Sequence, residues 1–174
     1  MFPDPGKRAK LLPIHFEAIV RYGFLAEKVW TTTGDEGVIV CQPPGHLEMD
    51  SESMVKAGMM KVSARIGRGA AERFENVVKH MEPLRLRDAG ARHWYVMVVG
   101  VDPSKRGLGI GSTLLKHVSS LADLEVVPTY LGTGQPENVL FYQKTGFKVV
   151  IEGIEPTSGL RFWTLKREPR PPKP

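Results

Sequence analysis

The sequence predicts a mixed α/β (α+β) fold, and two kinds of observation carry this. Short runs rich in Val, Trp and Thr, of strand length, alternate with longer stretches whose apolar residues recur at helical spacing. In addition, the runs at 29–33 and 38–42, and again at 147–151 and 160–166, are joined by turn-forming residues, so each pair reads as a hairpin. The chain has 174 residues, long enough for one domain with a real core, and its 41% hydrophobic and 25% charged residues are ordinary for a soluble globular protein.

Taken in order, Leu12, Phe16, Ile19, Val20 and Phe24 give a helical stripe over 7–27, with Pro13 leaving its start open. Strands at 29–33 and 38–42 flank the turn Gly34-Asp35-Glu36-Gly37, and Pro43-Pro44-Gly45 ends the second. Met54, Val55, Gly58, Met59, Val62 and Ile66 mark a further helix, a Met-rich stripe suited to core or to a flexible pocket wall. After Gly67 and Gly69, the residues Ala70, Phe74, Val77, Val78 and Met81 mark another, ending near Pro83 or Gly90.

The centre of the chain is the stretch from His93 to Leu121. The Val-rich run 95–101 is a strand, ended by the turn residues Asp102-Pro103-Ser104. From Gly111 on, Leu114, Leu115, Val118, Leu121 and Ala122 form the apolar stripe of a helix. Between them lies Arg106-Gly107-Leu108-Gly109-Ile110-Gly111. A Gly-rich turn feeding a helix start suits an anion, because the first helical N–H groups have no internal partner and the dipole is positive there. It also suits a tight turn with no ligand. A P-loop would need Gly-Lys-Ser/Thr at the helix start, and a dinucleotide fingerprint a third Gly where Ser112 stands; neither is present.

Downstream, 125–133 contains a strand around Pro128, Pro136 suits the first turn of a short helix, and Gly146 suits its stop. Strands at 147–151 and 160–166 follow. The Pro-rich basic tail 167–174 is expected to stay extended, beside a single domain over 1–166.

Arg106, Gly109 and Gly111 occupy the defined positions of a Q/R-x-x-G-x-G/A signature, and Asn138-Val-Leu-Phe-Tyr142-Gln-Lys-Thr-Gly146-Phe147 follows an N-x-x-x-Y-x-x-x-G-F pattern. Together these resemble the GNAT superfamily of acyl-CoA N-acyltransferases. The resemblance covers roughly 28–167 and is strongest over 93–150. It implies a mixed, mostly antiparallel sheet flanked by helices, with acyl-CoA held where the central strands splay apart. It also implies a strand before the first helix, for which the sequence has no room; the second strand is then expected at a sheet edge, through either a truncated or a shortened chain.

What the resemblance implies chemically is direct transfer of an acetyl group from acetyl-CoA, the acyl-donor substrate, to an amine. The diphosphate would lie on the N–H groups of Gly107, Leu108, Gly109, Ile110, Gly111 and Ser112, with Arg106 in support. The pantetheine arm would lie along Val99, Gly100 and Val101, and an N–H near Val99 could polarise the thioester carbonyl. Tyr142 matches the position of the acid that protonates the departing thiolate, although its stripe with Val139 also fits a core tyrosine. Asn138, one turn earlier, would touch CoA or cap the loop. The base stays open: Val96, Met97 and Val98 carry no carboxylate, and Gly132 stands where related sequences often have Glu. His46, Glu48, Asp50 and His93 remain as candidates.

The formal net charge is +5, but Lys7, Arg8 and Lys10 against Asp4, and Lys166, Arg167, Arg170 and Lys173 against Glu168, account for all of it. A basic recognition face for nucleic acid is therefore not indicated. The single cysteine, Cys41, excludes an internal disulfide and fits a reducing compartment. No run is long and apolar enough for a membrane span, no secretory signal is visible, and no metal site is read, so the cytoplasm is the expected location. A non-catalytic CoA-binding or interaction module of the same fold is the alternative function. The acceptor and the oligomeric state are not legible.

Overall fold

The computed structural model describes residues 4–46, 48 and 50–170. Its first described element is α1 (Pro5–Leu25). The Asp4 carboxylate accepts the N–H of Lys7 at 2.7 Å and Pro5 fills the first turn, a start signal that outweighs Pro13 inside the helix. β1 (Val29–Thr31) and β2 (Gly37–Gln42) form the first hairpin. The Met-rich stripe is two helices, α2 (Ser51–Lys56) and α3 (Met59–Ile66), because Gly58 turns left-handed at φ 78° between them. α4 (Arg68–Ala89) continues past Pro83 and stops at Gly90, φ 71°.

β3 (Trp94–Val101) leads through a single 3-10 turn at Pro103–Lys105 into α5 (Ile110–Glu125). β4 (Thr129–Thr133), α6 (Pro136–Lys144), β5 (Lys148–Ile154) and β6 (Arg161–Arg167) complete the order. Arg167, assigned to the tail from sequence, closes β6 instead: it is buried, and its guanidinium bonds both carboxylate oxygens of Asp123 on α5 at 2.8 Å. The backbone N–H of Arg170 also donates to Asp123, so the chain stays anchored that far; residues 171–174 lie outside the described part.

Among the described residues, six strands form one sheet in the order β1-β2-β3-β4-β6-β5. Every neighbouring pair is antiparallel except β3 and β4. Among the described residues, β1 stands at one edge of the sheet. One face packs on α5 and α6: Ile39, Cys41, Trp94, Val96, Leu131, Trp163 and Leu165 meet Leu114, Leu115, Val118 and Ala122 of α5 and Tyr142 of α6. Each fully buried Leu or Val there stabilises the fold by about 1.5–3 kcal/mol.

The opposite face packs on α1 and α4. Gly23 of α1 sits so close to β2 that a β-carbon there would lie 2.8 Å from a Val40 methyl. α4 lays Arg85 over the ring of Tyr95 at 4.5 Å and onto Gln42 at 3.1 Å, and brings Asp88 to the Tyr130 hydroxyl at 3.3 Å.

Candidate active site between β3 and β4

The two parallel strands stay together for only three partner pairs, ending at Val96 with Leu131. At the same point the register between β2 and β3 slips: Val96 faces Cys41 and Val98 faces Val40, leaving Met97 as an extra residue. A bulge of this kind bends and twists its strand and ends pairing on its flank. Beyond it, β3 continues to Val101 paired only with β2, and β4 continues to Thr133 paired only with β6. The result is an open wedge whose β3 side, including Val99, Gly100 and Val101, is an unpaired strand edge that an extended chain can join.

The loop at the outer end of the wedge is built stiffly. Asp102 accepts the N–H and hydroxyl of Ser104 at 2.8 and 2.7 Å, which holds its carboxyl below the usual range. The Asp102 N–H bonds the Glu36 carbonyl at 2.8 Å, and Lys105 pairs with the Glu36 carboxylate at 3.1 Å. Arg106 is then extended and exposed, with no ion pair among the described residues. Gly107 and Gly109 are left-handed at φ 84° and 81°, and no atom stands within 4 Å of where their β-carbons would be. Backbone sense rather than crowding requires glycine here.

α5 starts at Ile110 with no side-chain cap, and its first internal bond runs from Thr113 N–H to Gly109 carbonyl at 2.9 Å. The amides of Ile110, Gly111 and Ser112 are thus presented uncapped beside Arg106. Gly111 has a different role. It is buried, and a β-carbon would sit 3.1 Å from the Phe141 ring, so its small size lets α5 close on α6. Leu108, at 69% exposure, stands on the open side of the cradle. The residues read from sequence as a candidate anion site, 106–112, thus follow one another through one loop and the start of α5.

Tyr142 lies on the α5–α6 side of the sheet, edge-on to Phe147 at 6.1 Å and beside Phe141. Its hydroxyl has no hydrogen-bond partner among the described residues, yet is not sealed off. Burial pushes the phenol up to about 12, so it holds its proton at neutral pH. Asn138 is exposed and donates to the Thr133 hydroxyl at 3.3 Å, which ties α6 to the end of β4.

The four base candidates are not brought to the wedge. β2 runs antiparallel to β3 with Gln42 opposite Tyr95, so His46, Glu48 and Asp50 follow on from the closed end of the sheet. The Asp50 carboxylate is engaged as the cap of α2, accepting Ser53 N–H at 2.8 Å. His93, before the first β3–β4 pair, is fully buried, with Nδ1 2.7 Å from the Gly90 carbonyl; burial lowers its pKa. Gly132, the first β4 residue past the last shared pair, is covered by Met81 of α4. No motif signalled that contact: Met81 read only as part of a helical stripe.

A groove of about 390 Å³ lies between Phe24, Val29, Val38 and Gly100–Asp102, toward the β1 end of the sheet, and shares Gly100 and Val101 with the wedge. Cys41 is buried and its thiol is pushed up by burial, which makes it inert. Among the described residues, no cluster of three or more His, Cys, Asp or Glu is placed to hold a metal, and no helix is long and apolar enough to cross a membrane.

Comparison with known proteins agrees with this geometry. Residues 65–149 match the family model described as an acetyltransferase (GNAT) domain. An uncharacterized N-acetyltransferase of Schizosaccharomyces pombe is 25% identical over 143 residues, which is 79% of this chain; the chain spans 58% of that relative's length. Among solved structures, an acetyltransferase aligns over 93% of this chain and 82% of its own, with TM-score 0.53 and 20% identity. A structure of the NatC complex bound to Gag peptide and CoA aligns over 87% of this chain and 79% of its own, with TM-score 0.53 and 14% identity; at these identities both show the fold alone. Motif and family model agree on the central segment, and residues 65–149 belong to the GNAT acetyltransferase family.

Proposed function

We propose that this protein is an acetyl-CoA-dependent N-acetyltransferase acting by direct attack of an amine. The observation that carries the reading is the uncapped amide cradle at 107–112 beside Arg106, which has no ion pair among the described residues, opening onto a strand edge that stops pairing with β4 at Val96. A diphosphate suits the first feature, through helix N–H groups and a forked cation. A pantetheine arm, which carries amides of its own, suits the second. In this reading Arg106 and the amides anchor the donor, the β3 edge at Val99–Val101 aligns the arm, and a β3 N–H near Val99 polarises the thioester carbonyl.

Tyr142 serves the departing sulfur. A free cysteine-like thiol has a pKa of about 8.5, whereas the Tyr142 phenol stands at about 12. Full transfer of the phenolic proton is therefore uphill, and Tyr142 acts by hydrogen-bond donation to the developing thiolate. Asn138 holds the β4–α6 junction in place. A reducing compartment such as the cytoplasm fits the lone buried cysteine.

The test is calorimetry with acetyl-CoA, followed by a thiol-release assay with amines. Binding with turnover supports the reading. Binding without turnover supports instead a non-catalytic CoA-binding module, for which the lack of a carboxylate at Gly132 is the favouring observation.

A further inference from the structure

The wedge is closed at its inner end. Val96 with Leu131 is the last β3–β4 pair, and Gly132 is the next residue of β4. Gly132 shares a face of β4 with Tyr130, and α4 covers both: the Tyr130 hydroxyl donates to Asp88, and Met81 stands over Gly132. A β-carbon at 132 would run into the terminal methyl of Met81, and the sulfur lies 3.9 Å from that same point. The half-buried Met81 thus fills the apex of the wedge from the face opposite Tyr142.

The groups beside it are committed elsewhere. Arg85, one turn further along α4, lies over Tyr95 and binds Gln42, and Glu82 pairs with Arg85 at 3.4 Å. His80 packs on Phe162 of β6, whose ring in turn lies over Gly153 of β5. On the other face, Val96 and Leu131 are buried in the core with Tyr142. Among the described residues, what the apex presents to a ligand is an unbranched thioether end, apolar and adjustable.

Resting on the transferase reading above, we infer that Met81 is the stop that sets acyl length, so that the site takes acetyl and rejects four-carbon chains. In that reading the sulfur sits on the Tyr142 face, and the carbonyl oxygen points at the β3 edge near Val99. The third substituent of the planar carbonyl carbon, the acyl chain, then runs inward to the apex and across to the α4 face. The register puts Gly132 level with Met97, two residues inward from Val99, or about 7 Å along the strand. An acetyl methyl stands one bond of about 1.5 Å from the carbonyl carbon and meets its neighbour at about 3.5–4 Å, which fits that space. A butyryl chain reaches about 2.5 Å further, which exceeds it, and meets the thioether.

Calorimetry with CoA, acetyl-CoA and butyryl-CoA tests this without an acceptor. Wild type should bind butyryl-CoA about tenfold to a hundredfold more weakly than acetyl-CoA, the cost of overfilling a packed site. In Met81→Ala that gap should close to within about threefold, while affinity for CoA itself stays put. In Met81→Leu, which nearly conserves volume, the gap should persist. Wild type that binds butyryl-CoA as tightly as acetyl-CoA, or a folded Met81→Ala that keeps the wild-type gap, overturns the proposal. Wild type that binds none of the three, CoA included, overturns the donor reading, and the stop with it.

Discussion

The thioether of Met81 on α4 fills the space in front of Gly132 on β4, so that a β-carbon at 132 would run into its terminal methyl. A helix inserted between β2 and β3 thus covers the point where β3 and β4 part.

This contact predicts a measurable coupling. The obstructing group is the flexible end of a methionine, so Gly132→Ala should destabilise by no more than about 1.5 kcal/mol. Met81→Ala should relieve most of that cost. Urea unfolding of the two single variants and the double should give a coupling of about 1 kcal/mol in favour of the double.

Arg106→Ala should weaken acetyl-CoA binding by about tenfold, the worth of one charge-assisted contact of about 1.5 kcal/mol. Because Arg106 is exposed and unpartnered among the described residues, the melting temperature should not move. Gly109→Ala should do both: a side chain at φ 81° costs about 1–2 kcal/mol, and the new methyl projects into open space at the cradle. Calorimetry and thermal melts separate the two effects.

Tyr142→Phe should lower turnover by roughly tenfold to a hundredfold, less than the general range for acid catalysis because a thiolate is already a good leaving group. Affinity for acetyl-CoA should be unchanged. Stability should not fall, since the hydroxyl has no partner to lose among the described residues. The readout is steady-state thiol release beside a melt.

Two carboxylates should set the acid sensitivity of the fold. The Asp123 carboxyl is held below its ordinary value, chiefly by its hydrogen bonds from Arg167 and also by the Arg170 N–H. With both side chains largely buried, Asp123→Asn should cost about 3 kcal/mol at neutral pH. Glu155, buried after β5, accepts the Thr157 and Ser158 N–H groups at 2.9 and 2.7 Å and the Ser158 hydroxyl, and is held down to about 2, with the Ser158 hydroxyl the largest cause. Both folded values lie below the unfolded ones. Their stabilisation is therefore complete above the ordinary carboxylate range and is lost as pH falls through the folded values. Melting temperatures followed downward from pH 7 should show the gap between wild type and Glu155→Gln shrinking below pH 4.5.

Much of the fold could be read because its signals are local. The run 95–101, the glycines at 107, 109 and 111 and the stripe from Leu114 to Ala122 each act within a few residues, and β3, the cradle and α5 stand where those residues put them. Gly58 was read as part of a stripe because periodicity ignores backbone sense; its left-handed φ splits α2 from α3. Pro83 and Pro13 looked like breaks, but tertiary packing carries α4 and α1 through them. The way α4 covers the sheet could not be read. The Met97 bulge, the Met81–Gly132 contact and the His80–Phe162 contact are long-range, and nothing in the local spacing of α4 records which strand lies beneath it.

The central claim is that the amides after Arg106 hold the diphosphate of an acyl-CoA. Titration of the protein with acetyl-CoA in a calorimeter tests it most directly. The account predicts saturable binding at one site per chain, weakened about tenfold in Arg106→Ala. No heat and no melting shift with acetyl-CoA at millimolar concentration would contradict it.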